Sequence, residues 1–192
     1  MENLYTYYLQ VIFISFIVIN HLFEIYLSQR QVTTLHKNRF NVPKEFTQFL
    51  TMEDHQKALN YGTTKLRFGQ ARLIWSAVLL FYWFPFRGAE ELYLAIPFSG
   101  IHKEVFFLVG FGLIQMLLNL PWAVYSTFVL EEKYGFNRST PKLFIIDRLK
   151  GLILGALLGL PLLYGILFIF RSTGQWWWLV SFIVLTAFQF TL

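Results

Sequence analysis

Residues Leu4–Leu27 run for 24 positions with one formal charge, Glu24. A helix of roughly 20 apolar residues already crosses a bilayer, so this segment constrains the fold more than any other feature. Four further apolar segments follow: Leu73–Phe86, Val105–Leu130 with Asn119 and Pro121 inside it, Leu149–Phe170 and Trp176–Leu192. The second is long enough to cross only if its helix begins near Leu66. Hydrocarbon offers no partners to backbone N–H and C=O groups, so such segments must be helices. The pattern predicts an all-α polytopic transmembrane bundle of about five spans, near residues 4–27, 66–86, 105–130, 149–170 and 176–192. The whole chain, 1–192, reads as one membrane domain with loops at 28–65 and 131–148.

Composition agrees: 56% of the 192 residues are hydrophobic and 14% charged, where a soluble domain carries about 25% charged residues. The net charge of +5 does not indicate a nucleic-acid partner, because the cations flank apolar spans rather than gathering on one soluble face. With no cysteine, disulfides and thiolate metal sites are excluded. The N-terminus has no basic n-region and no small-residue cleavage site, so the first segment reads as a retained span.

The cations also predict an orientation. Arg30, Lys37, Arg39, Lys44, Lys57, Lys65, Arg67 and Arg72 lie between the first two spans, and Lys133, Arg138, Lys142, Arg148 and Lys150 between the third and fourth. Arg87, Lys103 and Arg171 lie on the other side. The positive-inside rule then puts both rich loops in the cytoplasm, the N-terminus outside and the C-terminus inside. Within the first loop, Phe46, Phe49 and Leu50 recur at helical spacing after Pro43, and Thr51 with Asp54 resembles an N-cap box. That box starts a helix through Lys57 and Tyr61 toward the second span. It is read as an interfacial helix with its basic side at lipid headgroups, or else as a gate for substrate.

Three smaller features complete the frame. Gly151, Gly155 and Gly159 make overlapping GxxxG steps, which suit close helix packing within the bundle or a dimer. Pro121 and Pro161 are expected to bend their helices, and Trp176, Trp177 and Trp178 fit an aromatic belt at the outer interface. The last segment has 17 residues and no closing Lys or Arg, as expected of a chain that continues into a larger protein.

The stretch Phe128–Thr140, FVLEEKYGFNRST, is unusually polar for its surroundings. Glu131 and Glu132 should lie at the headgroups, Gly135 can take the left-handed conformation that ends a helix, and Thr140–Pro141 suits an N-cap and first turn. Asp147 lies near Arg148 and Lys150. One reading is a capped turn whose charges pair with one another. The other is that Glu131, Glu132, Asn137, Arg138 and Asp147 orient a catalytic domain or a substrate by hydrogen bonding.

LPWAVYSTFVLEEKYGFNRST followed by DRLKG resembles the signature of the type I CAAX prenyl proteases, integral-membrane zinc metalloendopeptidases. YLSQRQ, VPKEF and DHQKALNYGTTKLRFG resemble that family's first loop, and LGLPLL and GQWWWL its later spans, in the same order. The likeness covers nearly the whole chain and corresponds to the five-helix N-terminal part. It implies a membrane chamber, zinc held by an HExxH helix and a downstream Glu, and removal of the last three residues from prenylated CaaX proteins. None of His21, His36, His55 and His102 begins an HExxH. The chain is therefore expected to bind no zinc and to be inactive alone, completed by a catalytic domain in cis or in trans. His21, with Asn20 and Glu24, makes a polar cluster inside the first span, either functional or local. The implied partners are the lipid bilayer, that catalytic domain and prenylated CaaX peptides. The implied location is a bacterial inner membrane or an endoplasmic-reticulum-type membrane. A non-catalytic scaffold binding lipidated or membrane proteins is the alternative. A small transporter would show inverted repeats, and the two halves lack convincing self-similarity.

Overall fold

The computed structural model describes residues 2–43 and 46–191. Lys44 of the first cationic cluster, Glu45 of VPKEF and Leu192 at the end of the fifth apolar segment lie outside the described residues. Every regular element described is helical. The elements belong to two compact units, Met1–Arg87 with Trp122–Asn137, and Gly88–Pro121 with Arg138–Leu192.

The first unit is built on a hairpin of two long helices. Helix α1 spans Glu2–Lys37, about 54 Å at 1.5 Å per residue. It extends ten residues into the stretch assigned above to the first loop, because neither Gly nor Pro interrupts residues 28–37. Hydropathy marked where the apolar surface stops, not where the helix stops. The helix ends where the Asn38 side-chain amide donates to the Thr34 carbonyl at 2.9 Å. Residues 46–50 fold as a tight turn, with Phe46 and Leu50 joined through backbone hydrogen bonds, rather than as the helix their spacing suggested. Phe46 and Phe49 stay exposed.

Helix α2, Met52–Trp83, starts at the expected box. The Asp54 N–H donates to Thr51 Oγ1 at 3.1 Å and the Thr51 hydroxyl donates to the Asp54 carboxylate at 2.6 Å. One unbroken helix thus carries both the polar first-loop segment and the apolar segment beyond it. The hairpin is antiparallel: Phe13 near the start of α1 meets Phe84 at the end of α2, and Leu35 near the end of α1 lies against Gly62. A Cβ on Gly62 would sit 3.3 Å from Leu35 Cδ1, so this glycine sets how closely the two helices approach. His55 closes the hairpin's turn, its Nε2 lying 3.0 Å from the Asn38 carbonyl it donates to. It lies in the first-loop segment, within the helix expected to start at Thr51, and is one of the few buried polar residues among those described.

The second unit holds helix α3, Gly88–Ala95, unforeseen in the sequence, and most of helix α4, Gly100–Tyr125. Lys103 Nζ lies 4.6 Å from the centre of the Tyr93 ring, and Phe98 stacks on Phe106. Helix α4 keeps Pro121 inside it and runs into a π-helical turn, Ser126–Glu131, then the short helix α5, Glu132–Tyr134. Helix α6, Pro141–Ser172, begins with Thr140 Oγ1 accepting from the Leu143 N–H at 3.2 Å, the predicted cap. Near its far end Arg171 bonds Glu104 at 2.7 Å, and Tyr164 OH lies 3.0 Å from His102 Nδ1. A 3-10 turn, Gly174–Trp176, leads into helix α7, Trp177–Thr191.

Among the described residues, three stretches are long and apolar enough to cross a membrane: Tyr7–Lys37, Gly100–Tyr134 and Pro141–Ser172. Helix α2 is continuously apolar only from Leu73, and Lys65, Arg67 and Arg72 interrupt the turns before it. Helix α7 has 15 described residues, about 22 Å against a core of about 30 Å. So three spans stand out where the apolar pattern suggested about five. Their apolar side chains face outward: Ile153, Leu154 and Leu157 on α6 are exposed, and no residue of α6 is buried. In water such a surface would aggregate, whereas hydrocarbon solvates it. The protein is an all-α polytopic membrane protein.

Candidate functional site

The polar stretch after α4 is a built turn. Gly135 adopts φ 76°, ψ 21°, a region that L side chains avoid. With it in place, the Phe136 N–H reaches back to the Glu131 carbonyl at 2.9 Å and the Gly135 N–H to the Glu132 carbonyl at 3.0 Å. This is the paired pattern of a Schellman C-cap. The Asn137 side-chain amide donates to Glu132 Oε2 at 2.8 Å, closing the turn on its outer side.

The turn is also fastened to α2. Tyr134 OH lies 2.7 Å from Thr64 Oγ1 and 3.2 Å from the Asn60 carbonyl, while the Thr64 hydroxyl lies 2.9 Å from the same carbonyl. Two hydroxyl protons and one carbonyl therefore satisfy the whole cluster. Tyr61 meets Tyr134 edge-on at 5.2 Å and Phe136 at 4.7 Å. Further back on the incoming side, Phe68 stacks on Tyr125 at 5.4 Å and lies 5.5 Å from Trp122. The π-helical turn falls between these two anchoring points. A π turn adds a residue to the helical repeat and re-aims the side chains beyond it. Leu130 within it is 3% exposed and Glu131 half-buried.

The structure therefore joins Glu131, Glu132 and Asn137 in one turn. Arg138 and Asp147 belong to the second unit and are exposed, and neither makes an ion pair among the described residues. The expectation that the charges here pair with one another is corrected. The acid–amide bond between Glu132 and Asn137 takes the place of ion pairing, and Arg148 lies 5.1 Å from the centre of the Phe144 ring. Asn60, Tyr61, Thr64, Tyr134 and Phe136 were missed. Their signal was available as aromatic residues inside two otherwise polar segments, but nothing in their spacing says which segment meets which.

Gly151, Gly155 and Gly159 lie on an exposed face of α6, with no atom within 4 Å of the position a Cβ would take. They make no close helix contact within this chain's described residues. The polar cluster in α1 is locally satisfied: His21 Nδ1 donates to the Ile17 carbonyl at 2.9 Å, and Asn20 reaches toward Glu24 at 3.5 Å.

Zinc does not fit the side chains present. Among the described residues no three of His, Asp and Glu converge on a point where a metal could sit. His55, His21 and His102 are engaged singly, with the Asn38 carbonyl, the Ile17 carbonyl and Tyr164.

A helical membrane protein in which the polar turn between two apolar helices is locked onto a long first hairpin is a specific architecture. Residues 31–192 match the family described as the CAAX prenyl protease N-terminal region, with five membrane helices. Relatives include a CAAX prenyl protease 1 homolog of Caenorhabditis elegans, 31% identical over 85% of this chain and 38% of its own length. That of Arabidopsis thaliana is 32% identical over 93% and 43%. The crystal structure of S. mikatae Ste24p superposes with a TM-score of 0.87 at 28% identity, over 94% of this chain and 43% of that one. The chain belongs to the CAAX prenyl protease family and corresponds to its N-terminal membrane region. It spans about two fifths of the length of these relatives.

Proposed function

We propose that this chain is the membrane portion of a zinc metalloendopeptidase acting on prenylated CaaX proteins, and that it scaffolds rather than performs the cleavage. The observation that carries this is the docked turn at residues 131–137, held by the Schellman cap and the Tyr134–Thr64–Asn60 cluster. That turn is rigid, polar and anchored to the membrane hairpin, which suits it to seat a catalytic domain supplied in cis or in trans. Glu131, Glu132 and Asn137 would present acceptors and an amide to that domain, with Arg138 and Asp147 contributing from α6 and its approach. Helices α2 and α7 would complete five spans, with the N-terminus outside and both cation-rich segments in the cytoplasm, where CaaX tails are found. Zinc would be held wholly by the partner segment.

Co-expression with the segment of S. mikatae Ste24p beyond the matched region tests this. Zinc-dependent removal of the last three residues of a prenylated CaaX peptide is expected with both pieces, and from neither alone. Glu132→Gln or Asn137→Ala should lower that activity while leaving membrane insertion intact. If the pair associates in the membrane but never cleaves, while this chain alone captures the prenylated peptide, the protein is a scaffold for lipidated proteins. The absence of cysteine provides a clean background for single-cysteine labelling, which would test the orientation from both faces of the membrane.

A further inference from the structure

Two neighbouring clefts open along the seam of the α1–α2 hairpin. One, of about 520 Å3, is lined by Ser28, Gln31, Gly62, Lys65, Leu66, Gly69 and Leu73. The other, of about 370 Å3, involves Arg30 and Thr34 and shares Gln31 and Leu66 with the first. Both volumes fall in the range of small-molecule sites, about 300–1,000 Å3. Glycine creates the space: a Cβ on Gly69 would meet nothing within 4 Å, whereas about two helical turns earlier Gly62 brings the helices together.

The position along the hairpin selects the occupant. The apolar run of α1 ends at Leu27, and the continuous apolar run of α2 begins at Leu73. The clefts thus lie where both helices change from hydrocarbon-like to polar, at the boundary between acyl chains and headgroups. Leu27, Leu35, Leu66 and Leu73 supply apolar walls, and each helix contributes one exposed cation, Arg30 and Lys65. Lys65 Nζ has only the Tyr61 ring at 5.5 Å, and neither cation forms an ion pair among the described residues. No acid lines either cleft. The Ser28 hydroxyl, buried at the floor of the larger cleft, has no hydrogen-bond partner among the described residues.

We propose that this seam is a binding site for one anionic glycerophospholipid. An acyl chain lies in the slot opened by Gly69, and the headgroup phosphate is held between Arg30 and Lys65. A zwitterionic lipid could fill the slot equally well, but its own ammonium cancels the attraction that the two unpaired cations provide.

The test is native mass spectrometry of the purified chain in detergent, titrated with dioleoyl-phosphatidylserine, with dioleoyl-phosphatidylcholine and with inorganic phosphate. One phosphatidylserine should bind about thirtyfold more tightly than phosphatidylcholine, as expected for two cations at the headgroup plane. R30Q/K65Q should abolish that preference, whereas R67Q/R72Q, the same charge change elsewhere on α2, should keep it. G69L should weaken both lipids about tenfold by filling the slot. It should not threaten folding, since Leu is the better helix former and the Cβ at this position meets nothing within 4 Å. Equal affinity for the two lipids, equal loss with R67Q/R72Q, unchanged binding by G69L, or displacement of the lipid by millimolar phosphate would each overturn the proposal.

Discussion

Replacing Tyr134 with Phe removes a single oxygen from the point where the polar turn meets α2. That oxygen lies 2.7 Å from Thr64 Oγ1 and 3.2 Å from the Asn60 carbonyl. Its loss orphans nothing, because the Thr64 hydroxyl keeps the Asn60 carbonyl at 2.9 Å. The ring also stays, and with it the edge-on contact to Tyr61 at 5.2 Å. The cost should therefore be that of one net hydrogen bond, about 1 kcal/mol, rather than the larger penalty of stranding a buried donor. About 1 kcal/mol raises the population of the undocked turn about fivefold. Amide hydrogen exchange across residues 128–140 in detergent should speed up by that factor, with the centre of α6 unchanged. Tyr134→Ala should cost about 1 kcal/mol more, since it also removes the aromatic contact. A double-mutant cycle with Thr64→Val isolates the hydroxyl pair and should return a coupling of about 0.5–1.5 kcal/mol. Unchanged exchange in Tyr134→Phe together with no coupling would refute the docking argument. The turn would then be held by its C-cap alone.

Gly135→Ala should lower the unfolding midpoint through a cost of about 1–2 kcal/mol, since φ 76° strains any Cβ. Gly151→Ala, in an open helical position, should raise it slightly. Thr140→Ala removes the oxygen that accepts from the Leu143 N–H and should destabilise the start of α6 by about 1 kcal/mol, while Thr140→Ser retains most of the cap. Glu104→Gln should change thermal stability by less than about 0.5 kcal/mol. Its pair with Arg171 is 46% and 32% exposed, and solvent screens most of the attraction despite the 2.7 Å distance.

Helix ends were the most legible parts of this protein. Thr51 with Asp54, Gly135, and Thr140 with Pro141 each do in the structure what their residue types imply. Capping depends on atoms two to four residues apart, so the sequence alone contains both partners. Apolar length was legible in the same way for the three stretches that qualify as spans, because lipid exposure is a property of a segment and not of its neighbours. The family resemblance rested on ordered local motifs and matches the relatives found.

Contacts between distant segments were not legible. Tyr134 and Thr64 are separated by 70 residues, His55 and Asn38 by 17, and no periodicity within either partner names the other. Helix α1 continued past its apolar run for want of a breaker, and the π turn at Ser126–Glu131 left no residue signature. Glycine shows the division most plainly. Gly135, Gly62, Gly69 and Gly151 are the same residue chemically. Sequence could assign only Gly135, where the demand is a backbone angle set by its own chain neighbours. Whether a missing Cβ admits a neighbouring helix, as at Gly62, opens a slot, as at Gly69, or faces outward, as at Gly151, was decided by what packs across from it.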